Sequence, residues 1–168
     1  ILNSVLSTPE AFVEELEIVT EAERRQVLFD WNQTRRDYAQ EHCLHQLVEQ
    51  QVERTPDATA VVFRDRQLTF AELNQRANQL ARYLRGQGVG PEVPVGLCVE
   101  RSLEMLVGVL GILKAGGAYV PLDPRNPHER INLVLKDAGV SVLLTQEHLS
   151  TGQFEAQPIL LEKKKKKT

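Results

Sequence analysis

His42, Cys43 and His45 fall within the length of one helical turn. Imidazole and thiolate are zinc ligands, but a closed zinc site needs four, and neither a fourth ligand nor a Cys-x-x-Cys pair lies nearby. The three read as helix-surface or core-edge residues. Cys98 sits in an apolar run with no base beside it and reads as a small core hydrophobe. Asp123 closes a strand-like run, where α/β sheets place their sites, and its neighbour Pro124 favours an Asx-turn that ends the strand. Lys114, late in a helical pattern, reads as a cation complementing the helix dipole. Gly88-Val89-Gly90 lacks the third glycine of a dinucleotide fingerprint, and no Walker loop is present. On these grounds no catalytic, cofactor-binding or metal-ligating residue is assigned.

The elements that would position any site are better marked than the site itself. Ser102 caps a helix in which Leu103, Leu106, Val107, Leu110 and Leu113 form one face. Met105, Val109 and Ile112 make the other side apolar too, so the helix is expected to be buried on both sides. Gly108 and Gly111 each lower helix propensity by about 1 kcal/mol, which close approach to a neighbouring backbone would justify. Gly116 and Gly117 stop the helix, Ala118–Leu122 reads as a short buried strand, and Asp123-Pro124 breaks it. Helix, tight turn, buried strand, loop, helix is the connection of an α/β sheet.

Upstream, Ile1–Ser7 reads as a tail cut from something larger, and Thr8-Pro9-Glu10 as a helix start with Phe12, Val13 and Leu16 on its apolar side. Thr20 and Glu23 form a capping box for a helix through Val27, Leu28 and Trp31 that ends near Asn32, followed by an extended connector, Asn32–Tyr38. His42–Val52 is a further helix with Leu44, Leu47, Val48 and Val52 on one side. Ala60–Phe63 is a strand, Arg64–Gln67 a polar reversal, and Thr69 with Glu72 a second capping box stapled by Leu68 and Leu73. The helix it starts shows Leu73, Ala77, Leu80, Ala81 and Leu84 at helical spacing and ends among Gly86, Gly88 and Gly90. Val93–Val99 is a strand that begins at Pro94 or lies at a sheet edge. Asn126, Pro127 and Glu129 supply the cap, first-turn proline and N3 carboxylate of a helix with Ile131, Val134, Leu135 and Ala138 towards the core. Val140–Thr145 suits a parallel sheet, and Gln157–Glu162 is a candidate short strand. The fold class is therefore α/β: a partial, mostly parallel sheet with crossover helices, preceded by a helical linker. Ala60–Phe63, Val93–Val99, Ala118–Leu122 and Val140–Thr145 are expected side by side, with one sheet edge unpaired and hence marginal stability or self-association.

The totals fit. The 168 residues make one domain or part of one, with a hydrophobic fraction of 42%, enough for a core. The net charge of −3 includes the five lysines Lys163–Lys167, so the body is more acidic than the total suggests. That argues against nucleic acid as a partner, and the lysine run reads as a solvated tail. No apolar run reaches a membrane span, and no secretory signal is visible. Two distant cysteines read as reduced thiols in a cytoplasmic protein.

Two stretches carry a family resemblance. Leu113–Pro124 resembles the second core motif of nonribosomal peptide synthetase adenylation domains, and Leu68–Leu73 the first; Asn74–Gly90 and Val99–Ile112 are similar to the family's wording between them. The resemblance spans about residues 16–145. It implies that residues 41–162 are the N-terminal part of an adenylation domain, 1–40 a helical linker or end of a preceding condensation region, docked on the enzyme body or else a solvated helical arm, and 163–168 a tail outside the pattern. It further implies that the parent enzyme turns an amino acid and ATP into an aminoacyl adenylate with Mg²⁺, then loads a carrier-protein phosphopantetheine thiol. The glycine-rich phosphate loop, the acidic ribose and Mg²⁺ motifs, the specificity pocket and the catalytic lysine of the family all lie further along. This chain alone is thus expected to bind no cofactor and to be inactive, as a truncated or frameshifted reading frame. Two other readings are a non-catalytic docking module derived from such a domain, and a small unrelated α/β nucleotide-binding protein.

Overall fold

The computed structural model describes residues 2–15, 18–37, 41–150 and 154–161. Leu16, Tyr38, Glu162 and Lys163–Lys167 lie outside the described residues. The chain divides into two compact units, Ile1–Gln40 and Glu41–Thr168. Among the described residues no helix is long and apolar enough to cross a membrane.

The first unit departs from expectation at its start. The helix is α1, Leu2–Ser7, where a tail was expected. Thr8-Pro9-Glu10 starts no helix: the Thr8 carbonyl accepts from the Ala11 N–H in a turn, and a single 3₁₀ turn follows at Val13–Glu15. The proline removes a donor that a continuing helix would need. At Thr20 the expected capping box is present. Glu23 N–H donates to Thr20 Oγ1 at 3.3 Å and Thr20 N–H to Glu23 Oε2 at 2.7 Å. These bonds, backbone first and hydroxyl second, hold the Glu23 carboxyl below its ordinary pKa. They start α2, Glu21–Arg25, which widens into a π-helical turn over Gln26–Asp30. Asn32 Nδ2 then donates to the Val27 and Leu28 carbonyls at 2.7 and 3.1 Å and closes the helix end.

In the second unit, α3 (Leu44–Arg54) begins two residues later than expected, because Cys43 is its N-cap and His42 precedes it. Cys43 N–H donates to Gln46 Oε1 at 2.7 Å. β1 (Thr59–Phe63) and β2 (Arg66–Thr69) form a separate antiparallel hairpin in which Phe63 pairs with Arg66. Ala60–Phe63 is therefore not beside the other three strands. The two-residue reversal, with Arg64 at φ 53°, returns the chain at once, and its nearest pairing edge is its own neighbour. The second capping box then starts α4 (Phe70–Gly86), and the staple residues Leu68 and Leu73 are both buried.

β3 (Pro94–Cys98), β4 (Ala118–Leu122), β5 (Val142–Thr145) and β6 (Gln157–Leu160) form a parallel sheet in the order β4-β3-β5-β6. Pro94 thus begins an inner strand and does not mark an edge; its missing N–H costs least at a strand's first residue. The edge is β4. Of β4 only Leu122 is buried, contrary to the expected buried strand, because its outer side has no neighbour among the described residues.

Side chains alternate across the sheet. Val95, Leu97, Val142, Leu144 and Ile159 face a layer made by α4 and α5 (Leu103–Ala115). Cys98 and Leu143 face α6 (His128–Asp137). The hairpin and α3 add their apolar residues to the outer side of the α4–α5 layer. Helix α5 is therefore buried on two sides, as expected, although Leu106 is exposed. Its glycines admit side chains, not a neighbouring backbone. A Cβ on Gly111 would stand 2.5 Å from Leu80 Cδ2, and one on Gly108 2.8 Å from Leu97 Cδ1. Gly116 ends the helix at φ 97°, and a Cβ on Gly117 would meet the Val93 carbonyl oxygen at 3.0 Å. α6 also differs from expectation. Asn126 donates its N–H to the Asp123 carbonyl at 3.0 Å, inside the turn, so the uncapped start falls on Pro127.

Lys114 is the largest surprise. It does sit in the last turn of α5, but it is buried, and its ammonium pairs with Glu49 of α3. Its carbonyl accepts from the Arg85 guanidinium of α4. The pair is lopsided, with side-chain exposures of 3% for Lys114 and 43% for Glu49. Removing the exposed partner strands a buried charge; removing the buried one strands nothing.

Urea denaturation of the purified chain tests two of these points. Glu49→Gln is expected to cost about 2–3 kcal/mol, less than a fully buried pair because Glu49 keeps part of its hydration, while Lys114→Met stays within about 1.5 kcal/mol. Equal losses would contradict the asymmetry. Gly111→Ala is expected to lose about 1–3 kcal/mol by overpacking against Leu80, whereas Gly86→Ala, with open space around its Cβ position, gains up to about 1 kcal/mol.

Candidate functional site

From β3 the chain crosses by α5 to β4 on one side, then by α6 to β5 on the other. The carboxyl ends of β3 and β5 therefore point their loops apart. This reversal of strand order is where open parallel sheets form crevices. A crevice of about 870 Å³ lies there. Its floor is Glu100 to Ser102 after β3 and Gln146 after β5. The hairpin contributes Phe63, Arg64 and Arg66, and α4 contributes Arg76, Gln79 and Leu80. Leu160 and Leu161 close the far side.

The two loops are tied together. Glu100 N–H donates to Gln146 Oε1 at 2.8 Å, and His148 Nε2 lies 3.6 Å from Glu100 Oε2. Gln146 is 5% exposed, so its orientation is set by that bond and by packing. Arg66 of the hairpin pairs with Glu104 of α5 at 2.9 Å. Burial pushes the Glu104 carboxyl up, but hydrogen bonds from its own backbone and from Arg66 outweigh it and hold the pKa below normal. Ser102 Oγ accepts from the Met105 N–H at 3.3 Å and starts α5 at the crevice edge. Thr145, fully buried beside Gln146, leaves its Oγ1 without a partner among the described residues.

The residues singled out from sequence are not brought together here. Asp123 ends β4 and forms the expected Asx-turn, its Oδ1 accepting from the Arg125 N–H at 3.0 Å. The Arg125 guanidinium also grips both carboxylate oxygens, at 3.0, 3.1 and 2.6 Å. These bonds, side chain first, lower the Asp123 pKa to about 2. Cys98 is buried, and its thiol is pushed up by burial and then by the charge of Asp123, which disfavours a nucleophilic thiolate. Cys43 is exposed at the start of α3. Gly88 adopts φ 87° just past α4, the left-handed conformation that ends a helix. The poly-lysine tail lies outside the described residues.

Adenylate chemistry would bring Mg²⁺, which takes oxygen ligands in near-octahedral geometry. Among the described residues no group of three acidic, histidine or cysteine side chains could hold a metal ion, and both Asp123 oxygens are engaged by Arg125. The residues present do not fit that ion, and no step is derived through it. Sequence reading missed Glu100, Arg101 and Gln146. Their only signal is position, as the first polar residues after two apolar strand runs.

The model of the AMP-binding enzyme family matches residues 48–168. The chain is 51% identical over 149 residues to gramicidin S synthase 2 of Brevibacillus brevis, covering 89% of this chain and 3% of the relative. It is 49% identical over 146 residues to tyrocidine synthase 3 of Brevibacillus parabrevis, covering 87% of this chain and 2% of that protein. The chain thus spans only a few hundredths of the length of these relatives. Among solved structures it is similar to the nonribosomal peptide synthetase FmoA3 in its AMPPNP-bound form. That match has a TM-score of 0.75 at 32% identity, over 83% of this chain and 15% of the other. With a family model matched over most of its length and a parallel sheet that superposes on a solved synthetase, the chain belongs to the AMP-binding enzyme family, among the nonribosomal peptide synthetase adenylation domains.

Proposed function

We propose that this chain is the opening section of an adenylation domain whose parent synthetase activates an amino acid. The parent joins the amino-acid carboxylate to the α-phosphate of ATP, releases pyrophosphate, and passes the acyl group to the phosphopantetheine thiol of a carrier domain in the cytoplasm, with AMP as the leaving group. Residues 41–162 supply scaffold to that reaction: the four-stranded sheet, the α4–α5 layer and the hairpin. ATP, Mg²⁺ and the amino acid are held by other parts of the domain. Residues 1–40 join the domain to a preceding condensation domain. The exposure of Val27, Leu28, Phe29 and Trp31 supports a docking role for that segment. The observation that carries the reading is the similarity to gramicidin S synthase 2 and tyrocidine synthase 3 over most of the chain.

Two experiments test it. In amino-acid-dependent ATP–pyrophosphate exchange, the purified 168-residue chain is expected to give no signal above background; exchange by this chain would overturn the scaffold role. Replacing the matching segment of an adenylation domain of gramicidin S synthase 2 with residues 41–161 is expected to keep exchange within about tenfold of the parent, about 1.4 kcal/mol in activation free energy. A soluble chimera without exchange would sink the assignment.

A further inference from the structure

The crevice between the β3 and β5 loops carries more positive charge than its neighbours neutralise. Four arginines line it, in a chain of net charge −3. Arg66 is committed to Glu104, and Arg64 lies over the Phe63 ring at 5.3 Å. Arg76 and Arg101 have neither an ion pair nor a hydrogen bond among the described residues. Gln146 adds a third donor. Its oxygen is taken by Glu100 N–H, which leaves the amide nitrogen without a protein partner among the described residues. Gln146 itself lines the crevice and is 5% exposed. Of the two carboxylates present, Glu104 is neutralised and Glu100 faces His148. Leu80, Val107 and Leu161 give the crevice an apolar wall.

Two guanidiniums without an ion pair and a carboxamide line the same crevice, and these are donors an oxyanion takes, since the guanidinium fork binds carboxylate or phosphate in a bidentate way. The N-terminus of α5, with Ser102 and Glu104 at the crevice edge, adds favourable dipole. We propose that this crevice binds a small organic anion, its phosphate or carboxylate held by Arg76, Arg101 and the Gln146 amide and its apolar body laid against Leu80, Val107 and Leu161. The volume of about 870 Å³ suits such a ligand. The site does not depend on the adenylation reading, which places ATP elsewhere.

The test titrates the full 168-residue chain with phenyl phosphate, benzoate and inorganic phosphate, followed by calorimetry and by the side-chain amide resonances of Gln146. At least one of the two aromatic anions is expected to bind more tightly than inorganic phosphate and to shift those resonances. Preference between the two distinguishes a phosphate from a carboxylate site. Arg101→Met, and separately Arg76→Met on the exposed side of α4, are each expected to weaken binding by about tenfold or more. Arg130→Met on α6 and replacement of Lys163–Lys167 by glutamine are expected to leave it unchanged. Absence of binding by both aromatic anions would overturn the proposal. So would loss that follows the tail lysines and not Arg101 or Arg76. Loss of binding in a longer synthetase that contains this segment would show the crevice to be filled by neighbouring polypeptide, and would overturn it too.

Discussion

The double burial of α5 is the constraint on which the second unit depends. A helix with one apolar face can be covered by a sheet alone. One that is apolar on nearly every side must have a sheet on one flank and other elements on the opposite flank. Here the sheet lies on one side, and α4, α3 and the hairpin complete the other. Close approach is possible only because Gly111 leaves room for Leu80 and Gly108 for Leu97. The propensity lost at two glycines, about 1 kcal/mol each, is offset by packing of neighbouring leucines worth roughly 1.5–3 kcal/mol apiece when fully buried.

The same helix gives the residues of a specific-looking stretch their structural roles. In Leu113–Pro124 every distinctive residue answers a geometric demand. Lys114 reaches back to Glu49 and fastens α3. Gly116 takes the left-handed conformation at the helix end. Gly117 passes under the Val93 carbonyl, so that the Ala118 N–H can donate to that oxygen at 3.0 Å and begin β4 in register with β3. Asp123 and Arg125 then turn the chain towards α6. A buried cation, two glycines and an acidic turn resemble catalytic equipment when read as residue types; in the structure the cation pairs with α3, and the glycines and the acidic turn shape the path from α5 to β4 and on to α6.

Chemistry-bearing groups collect elsewhere, at the loops after β3 and β5. The reason is topological: these are the two strands between which the order reverses, so no crossover helix roofs their ends. Polar residues there can be buried from below by the sheet and still face open space above. Gln146 shows both properties: it is buried, its oxygen accepts from the Glu100 N–H, and it lines the crevice. The surrounding arginines, drawn from the hairpin, α4 and the β3 loop, converge only because three non-adjacent segments are packed on α5.

By itself, the sequence determined the local elements and the family. The capping boxes at Thr20 and Thr69, the staple of Leu68 and Leu73, the Ser102 cap, the glycine stop at Gly116 and the apolar periods of α4 and α5 all operate within a few residues, where local hydrogen bonding and side-chain spacing suffice. Where Thr8 and Asn126 failed to cap helices, the competing bonds were also local but belonged to turns that residue types alone do not reveal. Tertiary structure decided what depends on distant partners. It set the hairpin apart from the parallel sheet, made Pro94 begin an inner strand and β4 lie at the edge, and buried Lys114 against a carboxylate 65 residues away. It also assembled the crevice, since Arg64, Arg76, Arg101 and Gln146 share no spacing that periodicity could detect. Their proximity follows from the order in which the strands pair and from the packing of a helix that has no exposed side to spare.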